Sequence, residues 1–185
     1  KENRTKITEE DIQRSMMKVT LGPQKKSRVI DEKDKFSTAV HESGHALINR
    51  LAKEKTPVQE VSIIPRGGAG GYTLSADDDV QYYYRGKLLC RIQMLLGGIT
   101  AEKLYVGDVS TGASNDLKRA TDIARRMVSE WGMSSEIGMV YCGSDNEIFL
   151  GRSYQERMPY SENQAAKIDE EVKKMKLEPI VVDIK

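Results

Sequence analysis

Apolar positions recur at helical spacing in five stretches of this chain and at strand spacing in one. Ile12, Met16 and Val19 form an apolar stripe over residues 8–19. Thr8 fits the N-cap of that helix, with Glu9, Glu10 and Asp11 in its first turn and Gly22-Pro23 as its stop. A second helix is predicted from about Asp31 to Leu51, with Phe36, Val40, Leu47 and Leu51 marking its buried side and His41 and His45 adjoining it. Val58, Val61, Ile63 and Ile64 then read as a strand. Pro65 to Gly71 makes a glycine-rich turn, and Tyr72-Thr73-Leu74 returns as a second strand.

A third helix is predicted from Asp77-Asp78-Asp79 through about Tyr105. Its core is Leu88, Leu89, Ile92, Leu95, Leu96, Ile99 and Leu104, and Tyr82-Tyr83-Tyr84 is expected to pack. Gly107 to Ser114 is a polar loop. Ser114 or Asn115 is expected to cap a fourth helix, Asp116 to Trp131, with Leu117, Ala120, Ile123, Ala124, Met127, Val128 and Trp131 inward. The pattern is irregular from Gly132 to Pro159. Ser161-Glu162-Asn163-Gln164 starts a last helix that runs to about Lys176. The fold class is therefore mainly α, with a small β-hairpin beside the second helix.

Length and composition narrow this picture only slightly. A chain of 185 residues can bury a core as one domain, with room for a small appendage. The formal net charge of +1 makes no electrostatic case for nucleic acid. Lys25-Lys26-Ser27-Arg28 reads as a solvated linker, and the glycine-rich turn lacks the Gly-Lys-Ser/Thr ending of a phosphate loop. Cys90 and Cys142 form no disulfide framework and are expected to be reduced thiols. No apolar run approaches the ~20 residues that span a bilayer, and Lys1-Glu2-Asn3-Arg4 is too polar for a signal peptide. The piece is expected to be soluble and, starting at Lys1 without Met, to be a fragment of a longer parent.

The chemistry lies in His41-Glu42-Ser43-Gly44-His45, an HExxH motif that uses both histidines of the chain. Residues four apart on a helix share a face, so two imidazoles can ligate one Zn²⁺. The intervening Glu42 is placed to act on water at the metal. Gly44 costs about 1 kcal/mol in a helix relative to Ala, which suggests close packing beside the second histidine. A catalytic zinc normally takes three protein ligands. With no third histidine, the remaining one must be a carboxylate or a thiolate. Cys90 falls in an apolar helix, where an inert thiol is expected. Glu102, after the small pair Gly97-Gly98, and Asp116, at a helix start that favours its ionised form, remain as even candidates.

Beyond the motif, ordered blocks run through the chain. They are Gly22-Pro23-Gln24-Lys25-Lys26-Ser27-Arg28, His41 to Ala46, Val61-Ser62-Ile63-Ile64-Pro65-Arg66-Gly67, Leu95-Leu96-Gly97-Gly98 with Ala101-Glu102, and Gly107-Asp108 with Ser110 to Leu117. Phe149-Leu150-Gly151-Arg152 and Ile168-Asp169-Glu170-Glu171-Val172 complete the series. On these blocks the sequence resembles the peptidase domain of FtsH-type ATP-dependent zinc metalloproteases, over roughly residues 1–174. Two departures stand out. Ile99 occupies a place where the family usually has Arg, and after Lys174 the stretch Met175-Lys176-Leu177-Glu178-Pro179-Ile180 and a short β-like tail stand in place of a further helical segment.

The resemblance implies a zinc metalloendopeptidase with His41, His45 and Asp116 as metal ligands and Glu42 as the catalytic residue. Glu102 would hold a ligand histidine. Residues 1–21 would be the end of an AAA+ ATPase module and 22–185 the peptidase domain. The parent would be a membrane-anchored homo-hexamer that uses ATP, through the linked ATPase, to unfold polypeptides and thread them into a proteolytic chamber. Its place would be the bacterial inner membrane with this domain on the cytoplasmic side, or else an organelle membrane. None of the ATPase's nucleotide motifs is in this chain, so it is not expected to hydrolyse ATP alone. The rival readings are a stand-alone zinc peptidase and an inactive oligomerisation module of the same fold.

Overall fold

The structure, a computed structural model, describes residues 6–25, 30–54, 56–76, 81–143 and 160–177. The basic residues after Lys25, the Asp77-Asp78-Asp79 run, the Phe149 to Arg152 block and the β-like tail from Pro179 lie outside them. Helix α1 spans Glu9–Thr20, α2 Glu32–Leu51, α3 Arg85–Ala101, α4 Ser114–Ser129 and α5 Glu162–Leu177. Strands β1, Val58–Ser62, and β2, Tyr72–Ser75, lie between α2 and α3. The mainly α class with one small hairpin is thus the observed architecture.

Local chemistry explains most of the boundaries. Thr8 caps α1 in a reciprocal box: its hydroxyl accepts from Asp11 N at 3.4 Å, and its own N–H donates to Asp11 Oδ2 at 3.0 Å. Asp31 caps α2 by accepting from Lys33 N. Ser161 starts α5 by accepting from Gln164 N.

The start of α3 departs from expectation. The helix begins at Arg85, with Tyr84 as an N-cap that makes no side-chain hydrogen bond. Of the tyrosines before it, Tyr82 and Tyr84 are 72% and 78% exposed and do not pack, while Tyr83 lies partly covered, with the Arg91 guanidinium 5.9 Å from its ring. At its other end α3 does not continue to Tyr105 as an α-helix. Glu102–Val106 is wound as a π turn, in which Gly107 N donates to Glu102 O. The change of period leaves Leu104 exposed rather than in the core. Nor do Ser114 or Asn115 cap α4. Ser110 caps a preceding 3₁₀ turn, Thr111–Ala113, whose last residue runs directly into the helix.

The core lies between α3, α4 and α5. Leu88, Ile92 and Leu95 meet Ala120, Ala124, Met127 and Val128, and Ile168, Val172 and Met175 close the far side. Ala120 and Ala124 are fully buried, and their small side chains let the helices approach. Leu117 and Trp131 sit at the edge of this face and stay partly exposed, with the Arg126 guanidinium 4.6 Å from the Trp131 ring.

The opposite side of α3 carries α2, and here three of the four apolar residues expected to be buried are not, while Val40 is half-buried. Phe36, Leu47 and Leu51 are exposed, while His41, Glu42, Gly44, His45, Ile48 and Asn49 are buried. A glycine crossing decides the orientation. A Cβ on Gly44 would lie 2.4 Å from Gly97 O, and one on Gly97 would lie 2.8 Å from Gly44 O. Backbones can approach that closely only at glycine, so the Gly44 face turns inward and brings the polar side chains with it.

β1 and β2 pair antiparallel, with Val61 opposite Thr73 and Ser62 opposite Tyr72. β1 ends earlier than predicted. Ser62 Oγ accepts from Ile64 N, and the chain leaves the ladder before Pro65. The hairpin tip is held by the segment after α1: Lys25 N donates to Pro65 O at 2.9 Å, and Gln24 pairs with Arg66. Gly22 and Gly67 supply the positive φ angles, +87° and +53°, at this crossing. Among the described residues no helix is long and apolar enough to cross a membrane.

Candidate metal centre

Three elements converge at one end of the α2–α3 pair. α2 presents His41 and His45 on its inner face, one turn apart, with their rings edge-on at 83° and their centroids 4.6 Å apart. α3 and the π turn that follows it fix both rings from behind. His45 Nδ1 donates to the Met94 carbonyl at 2.7 Å, and His41 Nδ1 donates to Glu102 Oε1 at 2.7 Å. Each bond sets the tautomer and leaves Nε2 with a free lone pair. The two Nε2 atoms face each other at 2.9 Å, and Asp116 Oδ2 stands 3.3 and 3.4 Å from them.

Such a donor set needs a cation. With both Nδ1 atoms protonated, two acceptor nitrogens and a carboxylate oxygen meet with no hydrogen between them. Two nitrogens bound at 2.0–2.1 Å to a tetrahedral zinc lie about 3.3 Å apart. Both contacts of Asp116 match that spacing, and the imidazole pair is slightly closer. The residues present therefore fit a zinc ion.

Where no ion is bound, a proton between an imidazole and Asp116 answers the same demand. Burial alone lowers the His41 pKa, but hydrogen bonds to Asp116 and Glu102, with the charges of Glu42 and Glu102, outweigh it and leave the group raised. Burial opposes ionisation of Asp116, yet its hydrogen bonds to both imidazoles and their charge hold it well below the usual carboxylate range. The start of α4 adds a favourable dipole.

The surroundings are built to these distances. Gly98 passes directly beneath the rings, and a Cβ there would fall 2.6 Å from His41 Nε2 and 2.7 Å from His45 Nε2. Glu102 is 2% exposed and fully engaged. Its Oε2 accepts from Ser110 N at 2.6 Å, and its Oε1 accepts from the Ser110 hydroxyl at 3.1 Å as well as from His41. The Ser110 hydroxyl also accepts from Gly112 N at the head of the turn that leads to Asp116. One serine thus links the carboxylate behind His41 to the turn that carries Asp116.

Glu42 lies beside this group and is also buried. Its Oε2 accepts from the Thr73 hydroxyl at 2.7 Å. Burial raises its pKa, against the lowering pull of Thr73 and the two histidines.

The structure brings His41, His45 and Asp116 together as one possible metal-binding group. Glu102 is not in it: its carboxylate meets His41 at Nδ1, on the opposite side of the ring. Cys90 and Cys142 are free thiols, and neither belongs to the group. Sequence reasoning missed Thr73, Ser110, Gly98 and the Met94 carbonyl. Ser110 lay inside a recognised block, and Gly98 inside a pair already read as permitting close approach. Thr73 and Met94 carry no spacing signal, because one acts from a strand 31 residues away and the other through its backbone.

The family model for peptidase family M41 matches residues 28–179. An ATP-dependent zinc metalloprotease, FtsH 2, of Alkaliphilus metalliredigens is 46% identical over 176 residues, 94% of this chain and 26% of that protein. The ATP-dependent zinc metalloprotease FtsH of Thermotoga maritima is 45% identical over 95% of this chain and 29% of its own length. That of Bacillus subtilis is 42% identical over 95% and 28%. The chain therefore spans between a quarter and a third of the length of these relatives. With the family match covering the hairpin, the HExxH helix and the helix of Asp116, the chain belongs to peptidase family M41, as a peptidase domain of the FtsH type.

Proposed function

We propose that this chain is the peptidase module of a membrane-anchored, ATP-driven zinc metalloprotease and that it hydrolyses peptide bonds of unfolded polypeptides. The observation that supports this most is the convergence of His41 Nε2, His45 Nε2 and Asp116 Oδ2 beside the buried Glu42 carboxylate. His41, His45 and Asp116 hold the ion, and Glu102 and Met94 hold the two imidazoles. Zinc, when bound there, lowers the pKa of water towards ~7 and polarises the scissile carbonyl. Glu42 takes the proton of the attacking water and passes it to the leaving amine. Burial raises its pKa above the ordinary carboxylate value, which makes it a stronger base for that exchange. The substrate lies extended along Val61–Ile64, where Val61, Ile63 and Ile64 are 41–43% exposed and, among the described residues, β1 is paired on one edge only.

On the same reading, residues 1–21 close an AAA+ ATPase module and residues 22–185 form the peptidase domain. The family match starting at residue 28 and the exposed stripe of α1 favour that division. The working unit is a homo-hexamer in a bacterial inner membrane, with this domain on the cytoplasmic side and ATP used only by the linked module.

The Glu42→Gln variant tests the chemistry. It should bind zinc as the parent does, by mass spectrometry, and lose at least a hundredfold in cleavage of an unfolded protein. Retained cleavage sinks the assignment.

A further inference from the structure

The Glu42 carboxylate sits at the end of a side chain with three rotatable bonds, so its position must be fixed by something. Neither histidine, nor Asp116, nor Glu102 donates a hydrogen bond to it. Among the described residues its one side-chain donor is Thr73, on β2, whose hydroxyl lies 2.7 Å from Oε2. The same hydroxyl lies 3.1 Å from the Glu42 carbonyl. A hydroxyl has a single hydrogen, and the shorter contact to the charged oxygen is the stronger one.

The strand that carries this hydroxyl is well anchored. Thr73 pairs with Val61, and Tyr72 beside it is buried, with its hydroxyl donating to Glu60 Oε1 at 2.6 Å. Two residues earlier the hairpin presses on α2 without a side chain. A Cβ on Gly71 would stand 2.7 Å from Thr38 Cγ2 and 3.1 Å from Glu42 Cγ. Gly71 therefore covers the stem of Glu42, while Thr73 grips one oxygen of its head. The other oxygen, Oε1, is left for the reacting proton.

We propose that Thr73 is the positioning residue of the general base: it fixes the Glu42 rotamer from the hairpin so that one carboxylate oxygen serves the attacking water. This rests on the reading of Glu42 as the base. It makes the hairpin part of the catalytic apparatus as well as the edge along which the substrate lies.

The test compares Thr73→Val, Thr73→Ala and Thr73→Ser with Glu42→Gln, all zinc-loaded, on an unfolded protein substrate. Valine keeps the shape, and alanine removes the hydroxyl without setting a second methyl against the carboxylate. We expect both to lower kcat about 10–100-fold, with KM within twofold and zinc content unchanged. Serine, which restores the hydroxyl, should return kcat to within about threefold of the parent. Parental kcat in the alanine or valine variant overturns the proposal. So does a serine variant as slow as alanine, because packing of the methyl would then be the role. Loss of zinc in both valine and alanine variants also overturns it, since Thr73 would then hold the site rather than the base. Cleavage by Glu42→Gln would instead reject the base itself, whatever the threonine variants do.

Discussion

At the scale of single residues, the centre is a set of acceptors held against one another by donors behind them. Met94 O, Glu102 and Ser110 fix the rings and carboxylates that then have to share a cation. The raised His41 pKa is the measure of that demand. In metal-free protein the fold favours protonated His41, so it gains stability below the ordinary pKa of 6.5 and loses it as pH rises through the raised value. Zinc needs the unprotonated imidazole, and so it competes with that proton. We therefore expect chelator-treated protein to melt higher at pH 6 than at pH 8. The zinc-stabilised increment should show the reverse order. Thermal unfolding with and without chelator at the two pH values checks both signs, and an increment larger at pH 6 would refute this account of His41.

Among the elements, the outcome turned on which face of α2 faces inward. Its Phe36, Leu47 and Leu51 make a plausible apolar side, and a periodicity argument selects them. The fold selects the other side, because Gly44 meets Gly97 at a distance no side chain allows. The starts of α1, α2 and α5, the hairpin and the HExxH spacing were legible because each depends on neighbours in sequence, such as Thr8 with Asp11, Asp31 with Lys33 and His41 with His45. The choice between Glu102 and Asp116 was not legible from the residues alone. It depends on a π turn that carries Glu102 behind His41 and on a capped 3₁₀ turn that brings Asp116 in front. The resemblance points to Asp116, and the structure places Asp116, not Glu102, with the two imidazoles in one possible metal-binding group. The glycine crossing gives its own prediction. Gly44→Ala would set a Cβ 2.4 Å from Gly97 O and 2.7 Å from the Ala101 methyl, forcing α2 and α3 apart. Overpacking of this kind costs about 1–3 kcal/mol. Denaturant unfolding should show that loss, and zinc affinity should fall with it, because His45 would move from the Met94 carbonyl. A variant as stable as the parent would mean the crossing is not tight.

For the molecule as a whole, the question is where the peptidase domain starts. α1 exposes Ile12, Met16 and Val19, and Met17 is its one buried residue. Neither the core cluster nor the metal-binding group contains a residue of α1. What ties the N-terminal part to the site is the segment after α1, which pairs with the hairpin tip through Lys25 N, Gln24 and the Pro23 carbonyl. That pairing lies on the C-terminal side of residue 21, so a division between 21 and 22 cuts before it. A chain starting at Gly22 keeps that pairing, and with it the hairpin that carries Thr73. Losing one buried methionine contact costs a few kcal/mol at most, and for a domain of this size each kcal/mol shifts the melting temperature by about 2–4 °C. The shortened chain should thus fold, melt within about 10 °C of the parent and keep its zinc. A chain starting at Ile30 loses the pairing as well, and should melt lower still. If removing residues 1–21 instead unfolded the protein or emptied the metal site, α1 would belong to the peptidase domain and the boundary would have to move toward the N-terminus.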